Sequence, residues 1–206
     1  MQLLLIRNAK PQTTEAGQGS DPNLSYDGNE QARRLPDALS KFSLARIVSS
    51  PRLQALQTAA PVADQLGMTI DIDERFAERD RGCPGGRSDD DAANADGVTS
   101  AEADTEAFVE RVRTGVDDVI AAGEQGQTVA VFTHGDVINA LVHSVMKTEH
   151  LHSFQPDYTG VTRLLVSEDG ALSVASVNVT EHVWDVLYRT QWWTGLRPAE
   201  WCTSRT

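Results

Sequence analysis

The sequence predicts a three-layer α/β/α sandwich on a mostly parallel central sheet with an antiparallel edge. Three observations carry this. Leu3-Leu4-Leu5-Ile6 and Val129-Ala130-Val131-Phe132 are short, continuous apolar runs, the pattern of strands buried on both faces. Stretches of helical period separate the strand-like runs, and such alternation places helices on both faces of a parallel sheet. The last two strand-like runs, 161–166 and 172–177, are joined by a turn at Glu168-Asp169-Gly170, and so short a link pairs strands antiparallel.

Each element has its own signal. After the first strand, Ser25 is an N-cap for a helix over 26–42, with Ala32, Leu35 and Leu39 on one side. Pro36 within it predicts a kink or break. Ala45-Arg46-Ile47-Val48 is a second strand. Ser50-Pro51 then reads as an N-cap with proline at the first helical position, opening a helix that Gly67 closes near Leu66. A third strand covers 69–72. The stretch 74–100 is rich in Gly, Asp and Arg and reads as a loop, with Asp89-Asp90-Asp91 on a solvated surface. A long helix over 101–122 carries Phe108, Val112, Val116, Val119 and Ile120 on one face and ends at Gly123. Another helix spans 135–146. The whole, residues 1–206, is expected to form one domain, with a tail over 183–206 that holds all four tryptophans: Trp184, Trp192, Trp193 and Trp201. That tail is expected to dock on its own domain, and it could instead form a homodimer contact or a lid over the pocket.

Bulk properties narrow the function. A chain of 206 residues, 40% hydrophobic and 23% charged, is globular. Two cysteines, Cys83 and Cys202, make neither a disulfide framework nor a metal cluster, which suits a reduced, cytoplasmic setting. No apolar run nears the ~20 residues of a membrane span, and the first six residues lack the flanks of a signal peptide. The net charge of −12 argues against nucleic acid and anionic membranes as partners. It leaves room for a small anionic ligand, because a few arginines in a pocket set a local field.

Two strand ends stand out. One strand runs into Arg7-Asn8-Ala9 and another into Thr133-His134-Gly135. Both triplets fall at the carboxyl edge of the sheet, where open α/β folds bind ligands, and Arg and His there suit a phosphate.

Around these ends the sequence resembles the histidine phosphatase superfamily, the phosphoglycerate mutase-like proteins. That family opens Arg-His-Gly or Arg-His-Ala after a strand; here the run is Ile6-Arg7-Asn8-Ala9. Its Leu-Thr-x-x-Gly-x-x-Gln-Ala element corresponds to Leu24 through Ala32. Its Ser-Ser-Pro-x-x-Arg-Ala-x-Gln-Thr-Ala element corresponds to Ser49 through Ala59. Glu78 and Gly82 match a Glu-x-x-x-Gly element, Thr133-His134-Gly135 is intact, and Asn178 with His182 matches a late Asn-x-x-x-His. The resemblance runs from about residue 1 to 183.

The resemblance implies phosphoryl transfer through a phosphohistidine, with two arginines and a second histidine holding the phosphoryl oxygens and a carboxylate as proton donor. Two positions depart from it. Asn8 stands at the nucleophile, and an amide has no basic nitrogen. Gln54 stands at the second arginine, bringing no charge and no guanidinium fork. Arg7, Glu78 and His134 remain. Arg52 lies two places before Gln54, about 200° away on a helix, which makes it no obvious substitute.

The expected site is therefore Glu78, His134 and the substituted Asn8 as the chemical positions, with Arg7, Gln54 and His134 around a small anionic or phosphorylated ligand. Neither metal nor cofactor is expected. His150 and His152 have a spacing open to a metal pair but read as solvated loop residues; His143 falls on the helix after His134. The function implied is binding, or acid–base chemistry by Glu78 and His134, without a phosphohistidine. A phosphomonoesterase in natural or inactivated form and a non-catalytic interaction module are the alternatives. With Gln54 in place, Asn8→His alone is expected to restore little phosphatase activity.

Overall fold

A computed structural model describes residues 1–12, 21–79 and 95–190, with side chains over 103–187 in the last span. The strands are β1 (Gln2–Arg7), β2 (Leu44–Ser49), β3 (Ile70–Ile72), β4 (Thr128–Thr133), β5 (Val161–Val166) and β6 (Leu172–Val179). The helices are α1 (Tyr26–Leu39), α2 (Leu53–Leu66), α3 (Ala95–Ala121), α4 (Gly135–Met146) and α5 (Trp184–Thr190). The strands form one sheet in the order β3-β2-β4-β1-β5-β6. β3, β2, β4 and β1 pair parallel, while β5 pairs antiparallel with both β1 and β6. The reversed strand is thus β5, and the edge strand β6 again runs with β1.

The period of two along β1 sorts its apolar run between two cores. Leu3 and Leu5 join Val129 and Val131 under Val112 and Val116 of α3 and Ile138 and Leu141 of α4. Leu4 and Ile6 join Ala130 and Phe132 under Leu35 and Leu39 of α1 and Val62 of α2. Both faces of the sheet are covered, as the unbroken apolar runs require. No helix among the described residues is long and apolar enough to cross a membrane.

Several boundaries differ from the sequence expectation. α1 runs unbroken through Pro36 and stops at Leu39 rather than near Phe42. The proline removes one backbone donor, and buried Leu35 and Leu39 on either side of it hold the helix to the sheet. α2 begins at Leu53, not Pro51; its N-cap position is Arg52, with extended φ −65° and ψ 137°. Asp21 Oδ1 accepts the Leu53 N–H at 2.6 Å, so a carboxylate from an earlier loop caps α2. Gly67 closes it in the left-handed conformation, φ 62°. The expected 74–100 loop holds a 3₁₀ turn at Glu74–Phe76 and the first residues of α3. Arg81, Arg87 and Asp89-Asp90-Asp91 lie outside the described residues. Of the tail, Trp184 is more than half exposed, while Val183, Val186 and Leu187 are buried and Arg34 Nη1 meets Asp185 Oδ1 at 2.5 Å. Trp192, Trp193 and Trp201 lie outside the described residues.

Gly28 ties α1 to the segment after β1. Ser25 Oγ accepts the Gly28 N–H at 3.0 Å and donates to Lys10 O at 3.0 Å. A Cβ on Gly28 would stand 2.0 Å from that same carbonyl oxygen. Helix propensity alone makes Gly→Ala stabilising by about 1 kcal/mol. Backbone overlap decides the sign here. Gly28→Ala is expected to destabilise by about 1–3 kcal/mol or more, read from urea midpoints at unchanged slope. An unchanged or higher midpoint would refute the close approach.

Candidate functional site

The parallel pairing of β1 and β4 sets Arg7 opposite Thr133, so Asn8 and His134 emerge side by side at the carboxyl edge. The Asn8 N–H donates to Thr133 O at 2.7 Å, and its Nδ2 donates to Ala9 O at 3.1 Å. Arg7 Nη1 donates to Pro156 O, and its guanidinium carbon lies 4.2 Å above the Tyr158 ring. Arg7 Nε is sealed from solvent without a partner among the described residues. It lies 3.5 Å from where a Cβ on Gly135 would stand, so Arg7 passes the start of α4 beside His134. Burial lowers the Arg7 pKa, against the opposing influence of Tyr158, Asp157 and Asp136.

His134 is buried at 3% exposure, and its Nε2 lies 2.8 Å from Ser50 Oγ. Ser50 is itself fully buried and accepts the Arg52 N–H at 3.2 Å. A buried hydroxyl keeps its proton in a hydrogen bond, which here has His134 Nε2 as its acceptor. The neutral ring then carries its proton on Nδ1. His134 so assigned is a donor at Nδ1, suited to an oxyanion.

Burial, then the charges of Arg52, Arg7 and Arg111, push the His134 pKa down to about 3. The unfolded ring takes up its proton near 6.5, so between these values the unfolded chain binds more protons. This contribution favours folding fully above about pH 6.5 and fades as pH falls toward 3. His182, lowered to about 4 by burial, acts in the same direction. The stability of His134→Gln is expected to depend less steeply on pH between 6.5 and 4 than that of the unaltered chain, by chemical denaturation. Equal slopes would contradict a neutral buried imidazole.

Glu78 follows the 3₁₀ turn that Thr133 Oγ1 anchors by donating to Phe76 O at 2.7 Å. Gln54 Nε2 donates to Glu78 Oε1 at 3.2 Å, and Arg52 Nε stands 3.9 Å from the same oxygen. Burial and the nearby Asp136 raise the Glu78 pKa, while Arg52 and Gln54 hold it back. The carboxyl keeps its proton to higher pH than an ordinary one, which favours a proton donor. Gln54 is 4% exposed, with Oε1 sealed and unpartnered among the described residues.

Sequence reasoning missed four contributors. Ser50, read as a helix cap, sets the His134 tautomer. Asp136, in the first turn of α4, accepts from Val137 N at 2.8 Å and Arg79 N at 2.6 Å; it sits two residues after His134, the one local signal available. Arg111 of α3 donates to Ala77 O at 2.8 Å and Glu74 O at 3.3 Å, holding the turn before Glu78. Arg52 lines a cleft with Asp21, Pro51, Ala77, Glu78 and Arg111. The 200° argument fails for it, because Arg52 precedes the helix and takes extended backbone angles.

The remaining residues lie apart. Asn178 donates to Asp157 Oδ2 at 2.9 Å and accepts from Asp157 N at 2.7 Å, bracing the loop that holds Arg7. His182 lines a separate groove with Leu39, Lys41, Phe42 and Arg163. His143 Nδ1 is 2.9 Å from Thr148 Oγ1, and His150 is strongly exposed. Among the described residues no cluster of His, Cys, Asp and Glu is arranged for a metal ion.

Residues 3–180 match the family model of the histidine phosphatase superfamily, branch 1. The chain belongs to that superfamily. A candidate phosphoserine phosphatase of Hydrogenobacter thermophilus is 28% identical over 180 residues, covering 79% of this chain and 88% of its own length. A bifunctional protein of Mycobacterium tuberculosis is 28% identical over 200 residues, covering 88% of this chain. The chain spans only 54% of that relative's length. Among solved structures, a mutant phosphoserine phosphatase from Entamoeba histolytica in complex with phosphoserine superposes with TM-score 0.71 at 20% identity, over 88% of this chain and 98% of the other. Mycobacterial glucosyl-3-phosphoglycerate phosphatase with inorganic phosphate gives 0.70 at 21% identity, over 88% and 99%. These likenesses agree on the fold; the chemistry rests on the residues.

Proposed function

We propose that this protein binds a small phosphorylated or otherwise anionic ligand at the carboxyl edge of β1 and β4 and does not turn it over through a phosphohistidine. One observation carries this reading: Asn8 occupies the position that a nucleophilic histidine takes in the family, with its amide nitrogen committed to Ala9 O at 3.1 Å. Around it Arg7 and the Nδ1–H of His134 supply donors for an oxyanion.

A second reading, a phosphomonoesterase with unusual residues, draws on Glu78. Its raised pKa suits a leaving-group acid, and several relatives are named phosphatases. Two measurements separate the readings. The unaltered chain is expected to bind orthovanadate in calorimetry, yet to release phosphate from aryl and alkyl phosphomonoesters at background rates. Turnover near ~10 s⁻¹, the usual enzyme scale, would establish the second reading and end the first.

A further inference from the structure

We propose that Arg52 supplies the second cationic contact to the bound oxyanion, replacing from outside helix α2 the charge that Gln54 lacks within it. The inference rests on the oxyanion reading above and concerns which side chain completes the site.

Arg52 reaches the cleft because of where α2 begins. Had the helix started at Pro51, residues 52 and 54 would project about 200° apart. Leu53 is instead the first helical residue, and Arg52 has φ −65° and ψ 137°. Asp21, by taking the Leu53 N–H at 2.6 Å, and Ser50, by taking the Arg52 N–H at 3.2 Å, hold the backbone there. As a result two side chains two residues apart converge on one carboxylate: Gln54 Nε2 at 3.2 Å and Arg52 Nε at 3.9 Å from Glu78 Oε1.

The position is also close to the imidazole. After burial, Arg52 is the largest influence lowering the His134 pKa, ahead of Arg7. Ser50 links the two directly, since its hydroxyl contacts both the Arg52 backbone and the His134 ring. Arg7 approaches His134 from β1 and Arg52 approaches it from the start of α2. An oxyanion seated between His134 and Glu78 would therefore meet Arg7 on the β1 side and Arg52, 3.9 Å from Glu78 Oε1, on the α2 side. At 3.9 Å and with both side chains partly exposed, the Arg52–Glu78 pair is weak, and the five N–H donors of a guanidinium let Arg52 meet a ligand oxygen alongside the contacts it already makes. A guanidinium offers paired donors that match such an oxygen set, which glutamine does not.

The test is calorimetric titration of the full chain with orthovanadate and with inorganic phosphate. Arg52→Gln is expected to bind about 10- to 100-fold more weakly, the usual cost of losing a charged hydrogen bond. Arg52→Gln with Gln54→Arg is expected to regain most of the loss by returning the cation to the helix. That recovery is what a merely structural role for Arg52 would not produce, and it also shows that the fold survives. If the unaltered chain binds neither oxyanion, the oxyanion reading and this inference fall together. If it binds and Arg52→Gln binds equally well, the inference alone is overturned. A double variant as weak as Arg52→Gln would overturn it too.

Discussion

Asn8→His is expected to turn a protein with background phosphatase rates into an enzyme with at least ~10³-fold more phosphate release, because it restores the one group that chemistry needs and nothing else supplies. The backbone at residue 8 is pinned to Thr133 O at 2.7 Å and its side chain is nearly enclosed, at 5% exposure. Asparagine and histidine are similar in width, so the ring can enter in the same direction. Its Nδ1–H would meet Ala9 O, which now accepts the amide of Asn8 at 3.1 Å. That bond fixes the tautomer and leaves Nε2 with its lone pair free for attack on phosphorus. The phosphoryl group would move to Nε2 as the ester oxygen leaves, and water would then release phosphate. The measurement is phosphate release from an aryl phosphomonoester, with mass detection of an acid-labile phosphorylated chain. Activity no higher than that of the unaltered protein would show a pocket reshaped beyond the nucleophile.

From the sequence alone the outcome should be the reverse: Gln54 would leave the phosphoryl charge short of one clamp, and Gln54→Arg would add about 10²–10³ in rate. With Arg52 already beside Glu78, Gln54→Arg on top of Asn8→His is expected to add less than about tenfold.

That reversal shows what was legible in the sequence. The apolar runs of β1 and β4 forced two buried strands, and two buried parallel strands bring their carboxyl ends together. Arg7, Asn8 and His134 could therefore be placed by pattern alone. Gln54 came from the resemblance instead: the helical pattern supplied α2, and only the family motif singled out that position on it. The role of Arg52 turned on two residues at a helix start, where a Ser-Pro pair gives the ordinary signal and the actual cap, Asp21, comes from another loop. Ser50 was visible but misassigned, because its hydroxyl partner His134 lies 84 residues away. Arg111 and Tyr158 gave no local sign, as each acts through contacts that only the folded chain creates. Local rules failed where long-range side-chain bonds set the backbone.

Once Asn8→His provides turnover, Glu78→Gln in that background is expected to cost about 10²–10⁴ in rate on an alkyl phosphomonoester. An alkoxide leaves poorly and needs a proton as the P–O bond breaks. Glu78 is the carboxyl placed to give it, because burial and Asp136 keep it protonated to higher pH than an ordinary glutamate. Glutamine has the same shape and no labile proton. An aryl phosphomonoester, whose leaving group carries its own charge well, should lose much less. The ratio of the two losses is the diagnostic quantity, since a distorted pocket would slow both substrates alike. The pH profile gives a second reading of the same group. For a required acid, the rate falls as pH rises through the Glu78 pKa, and that limb should vanish in Glu78→Gln. Equal losses on both substrates, with the limb intact, would remove Glu78 from proton donation and leave it as the carboxylate that orients Arg52 and Gln54.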